Sequence, residues 1–207
     1  QQAGADALEL NVYYIAADPD TSSADVESRY LELLTALRQN VSIPITMKLS
    51  SQFSSVANMV LKLQQAGAHG VSLFNRFYQP DIDLETLHIK PQLELSTPME
   101  SLLRIRWIAL IRGRIDISLA ATGGIHNVDT IIKALLAGAD VTHLCSVLLQ
   151  YGPGHIATLE KQMTEWLEQH EYESVAQMKG SVSKSCAINP AALEHNNYLD
   201  VIKSFDA

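Results

Sequence analysis

Cysteine is scarce in this chain. Cys145 and Cys186 are the only two in 207 residues, at a spacing that fits neither a metal-ligand motif nor a disulfide framework, and such usage points to a reduced cytoplasmic setting. No apolar run reaches the roughly 18 residues that a membrane-spanning helix needs. Basic residues are outnumbered, 15 against 23 acids. The two signs are dispersed, which argues against a nucleic-acid or anionic-membrane surface. None of the seven histidines forms a metal-ligand pair at useful spacing, and no Ser-His-Asp arrangement can be argued. These absences leave a protein whose partner is a small molecule.

What the chain does have is a phrase used three times. Gln-Gln-Ala-Gly-Ala-Asp at 1–6, Gln-Gln-Ala-Gly-Ala-His at 64–69 and Leu-Leu-Ala-Gly-Ala-Asp at 135–140 each precede an apolar run. In each, the Gly supplies a left-handed helix stop and the following Ala leaves room for a helix to pack on a sheet. The pattern predicts repeated helix-to-strand units in a parallel sheet. Strands are expected at 7–13, 44–49, 70–75, 115–121 and 141–148. Apolar stripes at three- and four-residue spacing mark the helices between them: Val26, Tyr30, Leu33, Leu34 and Leu37 in one, and Val56, Met59, Val60 and Leu63 in the next. Further helices are expected at 102–111, 127–136, 155–170, 174–179 and 190–205. Trp107 and Trp166 fall on helices as packing anchors.

The fold class expected is therefore α/β, a TIM (β/α)8 barrel. With 47% hydrophobic residues the chain can bury one sizeable core, and 1–207 reads as a single domain. An eight-stranded barrel takes about 250 residues, so five units read as the C-terminal part of a barrel truncated at its N-terminus. Such a segment alone is expected to be marginally stable or to associate, because its sheet edges would be open.

Barrel sites form at the C-terminal ends of strands. In the 43–49 run, Ile45, Met47 and Leu49 alternate toward the helices, which turns Thr46 and Lys48 inward. A lysine leaving the strand for solvent is the plainer alternative. The same parity turns Glu9 and Asn11 inward, where Glu9 could pair with Lys48 and offset two costly charges. Asn75 shares the phase of Val71 and Leu73 and turns inward only if its strand bends. Adjacent Gly123 and Gly124, after Thr122 and before a helix, suit an anion held by backbone N–H groups and the helix dipole, or else a plain tight turn. Cys145 and Ser146 would leave room on the other side of that anion. His126 stands at the turn and could contact a ligand, whereas His143 reads as a packed strand residue.

Leu-Glu-Leu-Asn at 8–11, Pro-Ile-Thr-Met-Lys-Leu at 44–49, Leu-Phe-Asn-Arg-Phe at 73–77, Thr-Gly-Gly-Ile at 122–125 and the stretch from Gly138 to Leu148 together resemble the dihydroorotate dehydrogenase family, in particular its bacterial dihydroorotate dehydrogenase-like branch. Glu-Tyr-Glu-Ser-Val at 171–175 with Lys179-Gly180 is similar to that family's C-terminal helix. The resemblance implies an FMN-dependent oxidoreductase that passes hydride from a CH–CH donor to flavin N5, in pyrimidine biosynthesis or chemistry like it, and a homodimer when complete. It places Lys48 beside the flavin, Asn11 and Asn75 near flavin or substrate, Thr122, Gly123 and Gly124 on one side of the FMN phosphate, and Cys145 and Ser146 on the other. An ammonium near flavin N1 and O2 would stabilise the anionic reduced ring.

One stretch departs from the family. Where a Cys or Ser base should follow the first-strand Asn, this chain reads Asn-Val-Tyr-Tyr-Ile-Ala-Ala-Asp-Pro-Asp at 11–20. Tyr14 takes roughly the base position, although a phenol titrating near 10 is a poor base at neutral pH without a nearby cation. Two alternatives stay open: a phosphate-binding barrel lyase or isomerase, which needs the glycine turn but no flavin, and a catalytically silent flavin-binding homologue.

Overall fold

The computed structural model describes residues 1–194 and 202–203. Five parallel strands form one sheet: β1 (Leu8–Asn11), β2 (Ile45–Leu49), β3 (Gly70–Leu73), β6 (Ser118–Thr122) and β7 (Val141–His143), in the order β1-β2-β3-β6-β7. Between them run α1 (Ser23–Arg38), α2 (Val56–Gln65), α3 (Ser101–Ile111) and α4 (Val128–Ala137). This is the helix-to-strand repetition that the glycine phrases announce. The sheet does not close on itself, since β1 and β7 each pair on one side only.

Local chemistry accounts for the boundaries. Helix α1 starts in a reciprocal cap between Ser22 and Asp25, and α4 in another between Asn127 and Thr130. Helix α4 stops at Gly138, whose φ of 119° a residue with a Cβ rarely adopts. The outer face of the sheet carries Ile45, Met47, Leu49, Val71, Leu73, Leu119 and Ala121, each at most 1% exposed, and packs on Met59, Leu63, Ile108 and Ile131 from the helices. Cutting one of the larger side chains to alanine here costs about 2–5 kcal/mol. The opposite, concave face is polar or small, with Glu9, Thr46, Lys48, Gly70, Ser72 and His143.

Two expectations need correction. The last strand ends at His143 instead of running to 148, because a short helix, α5 (Ser146–Tyr151), begins there. Leu33 is 41% exposed; the stripe of α1 is narrower than its apolar spacing suggests. The connection from β3 to α3 holds a small antiparallel hairpin, β4 (Asp81–Ile82) with β5 (Ile89–Lys90), and a 3-10 turn at Pro98–Glu100. Short strands with exposed apolar residues give no periodic signal. After α6 (His155–Gln169) and α7 (Val175–Met178), the helix expected at 190–205 is present as α8 (Ala191–Glu194) and at 202–203. Its remaining positions lie outside the described residues.

Candidate functional site

The C-terminal ends of the strands surround a cavity of about 250 Å³. Strand ends β1 and β2 contribute Asn11 and Lys48, and the segment after β3 contributes Phe74 and Asn75. Opposite them lie Thr122, Gly123, Gly124 and Ile125, with His143, Cys145 and Ser146 beside these. A second space of about 330 Å³ adjoins it on the concave face of the sheet, lined by Glu9, Thr46, Ser72 and again His143. The structure thus gathers Asn11, Lys48, Asn75, Thr122, Gly123, Gly124, Cys145 and Ser146 around one space.

Lys48 points inward because its neighbours Met47 and Leu49 occupy the helix-facing side. Its Nζ lies 3.6 Å from Glu9 Oε1, and the other Glu9 oxygen accepts a hydrogen bond from Ser72. Strand pairing sets Lys48 beside Asn11 on one side and Ser72 on the other. Asn75 follows a cis peptide between Leu73 and Phe74. Its N–H donates to Leu49 O at 2.7 Å and its Nδ2 donates to Val12 O at 3.2 Å, which fixes it, 7% exposed, at the cavity wall.

The opposite end is built from backbone. Gly123 and Gly124 have φ of 90° and 82°. Among the described residues, no protein acceptor takes the N–H of Gly123, Gly124 or Ile125. Three successive free donors, with the first turn of α5 nearby, suit an anion. The need for glycine at 124 comes from behind the turn: a Cβ there would stand 2.3 Å from Ser101 N.

Ser96 was not singled out from sequence. Only 7% exposed, it donates its N–H to Ser146 Oγ at 3.1 Å, and its own Oγ lies 2.9 Å from both Ser146 Oγ and His126 Nε2. The signal available was Thr97-Pro98 with Glu100, a helix-start pattern that places the preceding residue beside the turn. Arg76 anchors the same segment. It donates to Glu94 O and to Leu95 O, and its Nε meets Glu100 Oε2 at 3.1 Å. Behind the turn Arg104 donates to Thr122 O and Glu100 O. Burial lowers the pKa of this guanidinium; Glu100 acts against that and Arg76 with it.

Tyr14 is a correction. It does not line the cavity; Arg29 lies over its ring at 4.5 Å, and it borders a separate space of about 300 Å³ between α1 and the loop after β2. Successive extended residues point to opposite sides, so Tyr13 faces the cavity instead, against Phe77 at 4.5 Å between ring centres. His143, read as a packed residue, also lines the cavity. His126 reaches it only through Ser96.

No protein-family model matches the chain. It is 24% identical over 198 residues to the catalytic subunit of dihydroorotate dehydrogenase B (NAD(+)) of Thermoplasma volcanium, covering 89% of this chain and 62% of that protein. It is 23% identical over 198 residues to the chloroplastic dihydropyrimidine dehydrogenase (NADP(+)) of Arabidopsis thaliana, covering 87% and 46%. The dihydroorotate dehydrogenase B catalytic subunit of Listeria monocytogenes is 31% identical over 140 residues, covering 65% and 45%. The matched part thus spans from 45% to 62% of these three relatives. Similarity to dihydroorotate and dihydropyrimidine dehydrogenases thus runs along most of the chain, at 23–31% identity, and supports a dihydroorotate dehydrogenase-like family.

Proposed function

We propose that this chain contributes the cofactor-holding part of an FMN-dependent oxidoreductase acting on dihydroorotate or a related cyclic CH–CH donor. Its five strands would be five of the eight in a TIM barrel, with residues 1–207 forming one unit of a homodimeric, cytoplasmic enzyme. The observation that carries this reading is the polarity of the cavity. One end presents three free backbone N–H donors at 123–125 and the hydroxyls of Ser96 and Ser146; the other presents an inward ammonium flanked by two amide side chains. That donor set fits a molecule with a phosphate at one end and an electron-accepting ring at the other. Bound FMN would supply the two-electron acceptor.

The protein's own groups would bind and orient. Thr122, Gly123 and Gly124 with Cys145 and Ser146 would hold the phosphate. Lys48 would sit beside the ring and favour its reduced anion. Asn11 and Asn75 would orient substrate through amide hydrogen bonds. The group that accepts the substrate proton is the open element, because Tyr14 points away and residues 11–20 offer no Cys or Ser. That single fact favours a second reading, a homologue that binds flavin without turnover.

The test is a visible absorption spectrum of the purified protein, with heat release and identification of any yellow chromophore. FMN near one per chain is the expected result. A colourless protein that also fails to take up added FMN would overturn the proposal in favour of a phosphate-metabolite lyase or isomerase. Bleaching by dihydroorotate without an acceptor, followed by turnover once an artificial acceptor is added, then separates an enzyme from a silent homologue.

A further inference from the structure

We infer that Arg104 is a positioning residue for a ligand phosphate, acting through the peptide that joins Thr122 to Gly123. The inference rests on the FMN reading and adds a residue to it. Arg104 is 6% exposed, and its Nε donates to Thr122 O at 3.1 Å. Phe74 N–H donates to the same oxygen at 3.3 Å. A trans peptide is planar, with its C=O and N–H on opposite sides. Holding the Thr122 oxygen between these two donors therefore turns the Gly123 N–H the other way, and that N–H has no acceptor among the described residues. The guanidinium also lies directly under the turn: a Cβ on Gly123 would stand 3.0 Å from Nη2.

Charge points the same way. A buried guanidinium is costly unless a carboxylate matches it. Among the described residues the only carboxylate paired with Arg104 is that of Glu100, 4.0 Å from Nη2, and Arg76 claims the same oxygen at 3.1 Å. Two guanidinium groups share one carboxylate, so the cluster keeps one positive charge beside the glycine turn. A phosphate on the far side of Gly123 would supply the missing negative charge across a single backbone layer.

The experiment compares FMN with riboflavin, which lacks the phosphate, as probes of the wild-type protein and of Arg104→Met and Arg104→Lys. Wild type is expected to bind FMN more tightly than riboflavin, with a preference that falls as salt rises. Arg104→Met should lose about tenfold to a hundredfold in FMN affinity, the scale of one charge-assisted contact, while riboflavin affinity holds. Arg104→Lys, which keeps the charge and loses the fork, should retain part of the preference. Equal loss of both flavins in Arg104→Met, or no loss of either, would overturn the inference. If wild type binds neither flavin, the FMN reading fails and inorganic phosphate becomes the probe. Thermal stabilisation by phosphate that disappears in Arg104→Met supports the role; stabilisation that is unchanged, or absent in wild type, overturns it.

Discussion

Lys48 and Glu9 form an ion pair across the first two strands at 3.6 Å, with Ser72 holding the far oxygen of the carboxylate from the third. Both side chains are partly exposed, at 22% and 34%, so the pair contributes modestly to stability, about 1 kcal/mol. Its larger consequence is electrostatic. Glu9→Gln should lower unfolding free energy slightly and leave Lys48 with its full positive field; Lys48→Met should remove that field. If FMN lies beside Lys48, its reduction potential should rise in the first variant and fall in the second. Potentials unchanged in both would place the flavin elsewhere.

Tyr14 is held away from the cavity by its stacking with Arg29. On the proposed oxidoreductase reading, Tyr14→Phe keeps the ring and should leave flavin reduction by dihydroorotate unaffected across the pH range. Tyr14→Ala should cost about 0.5–1 kcal/mol of stability through the lost cation–π contact. Tyr13→Ala, which removes a cavity wall, should instead weaken substrate binding. Stopped-flow bleaching of the flavin separates these outcomes, and a strong rate loss in Tyr14→Phe would restore Tyr14 as the base.

Asp140 tests the other end of the sheet. Burial pushes its carboxyl up, but the hydrogen bond from Lys179 at 2.7 Å, the N–H of Leu119 and the charge of Arg112 outweigh burial and hold it below the ordinary 3.8. A carboxyl depressed in the folded state stabilises above its unfolded value, and that stabilisation disappears as pH falls through the folded one. Asp140→Asn should therefore be less stable than wild type at pH about 7, and the gap should close below about pH 4. Urea melts at several pH values check this; a gap constant into acid would show that the pair does not matter.

How much of this was legible beforehand depended on the range of the interaction. The alternation of Ile45, Met47 and Leu49 against Thr46 and Lys48 is a property of one strand, and it correctly turned Lys48 toward Glu9. Gly138 announced the end of α4 because a left-handed cap is local. Ser96 was invisible for the opposite reason: its value comes from Ser146, fifty residues away, and from His126, thirty away. Tyr13 and Tyr14 are adjacent and chemically alike, so only backbone direction in a loop could tell which one faces the cavity. Arg104 is one of two charges on an otherwise apolar helix, and nothing in its sequence neighbours indicates Thr122.

Gly124 and Gly152 contrast a crowded glycine of positive φ with an open one. Each has φ of 82°, so alanine pays a backbone penalty at either site, about 1–3 kcal/mol, and at Gly152 a ψ of 163° adds to it because only glycine adopts that region readily. They differ in surroundings. A Cβ at Gly152 meets nothing within 4 Å, whereas one at Gly124 falls 2.3 Å from Ser101 N and 2.8 Å from Glu100 C, both backbone atoms that cannot swing aside. Gly152→Ala should therefore lose only its own conformational cost, while Gly124→Ala must also push the start of α3 away, at a further cost of about 1–3 kcal/mol. Chemical denaturation of the two variants measures the difference directly. Equal losses would mean that the turn and α3 are not packed as closely as described. A large difference would mean that loss of anion binding in any Gly124 variant reflects displaced packing, and that the phosphate contact must be tested through Arg104, Ser96 and Ser146 instead.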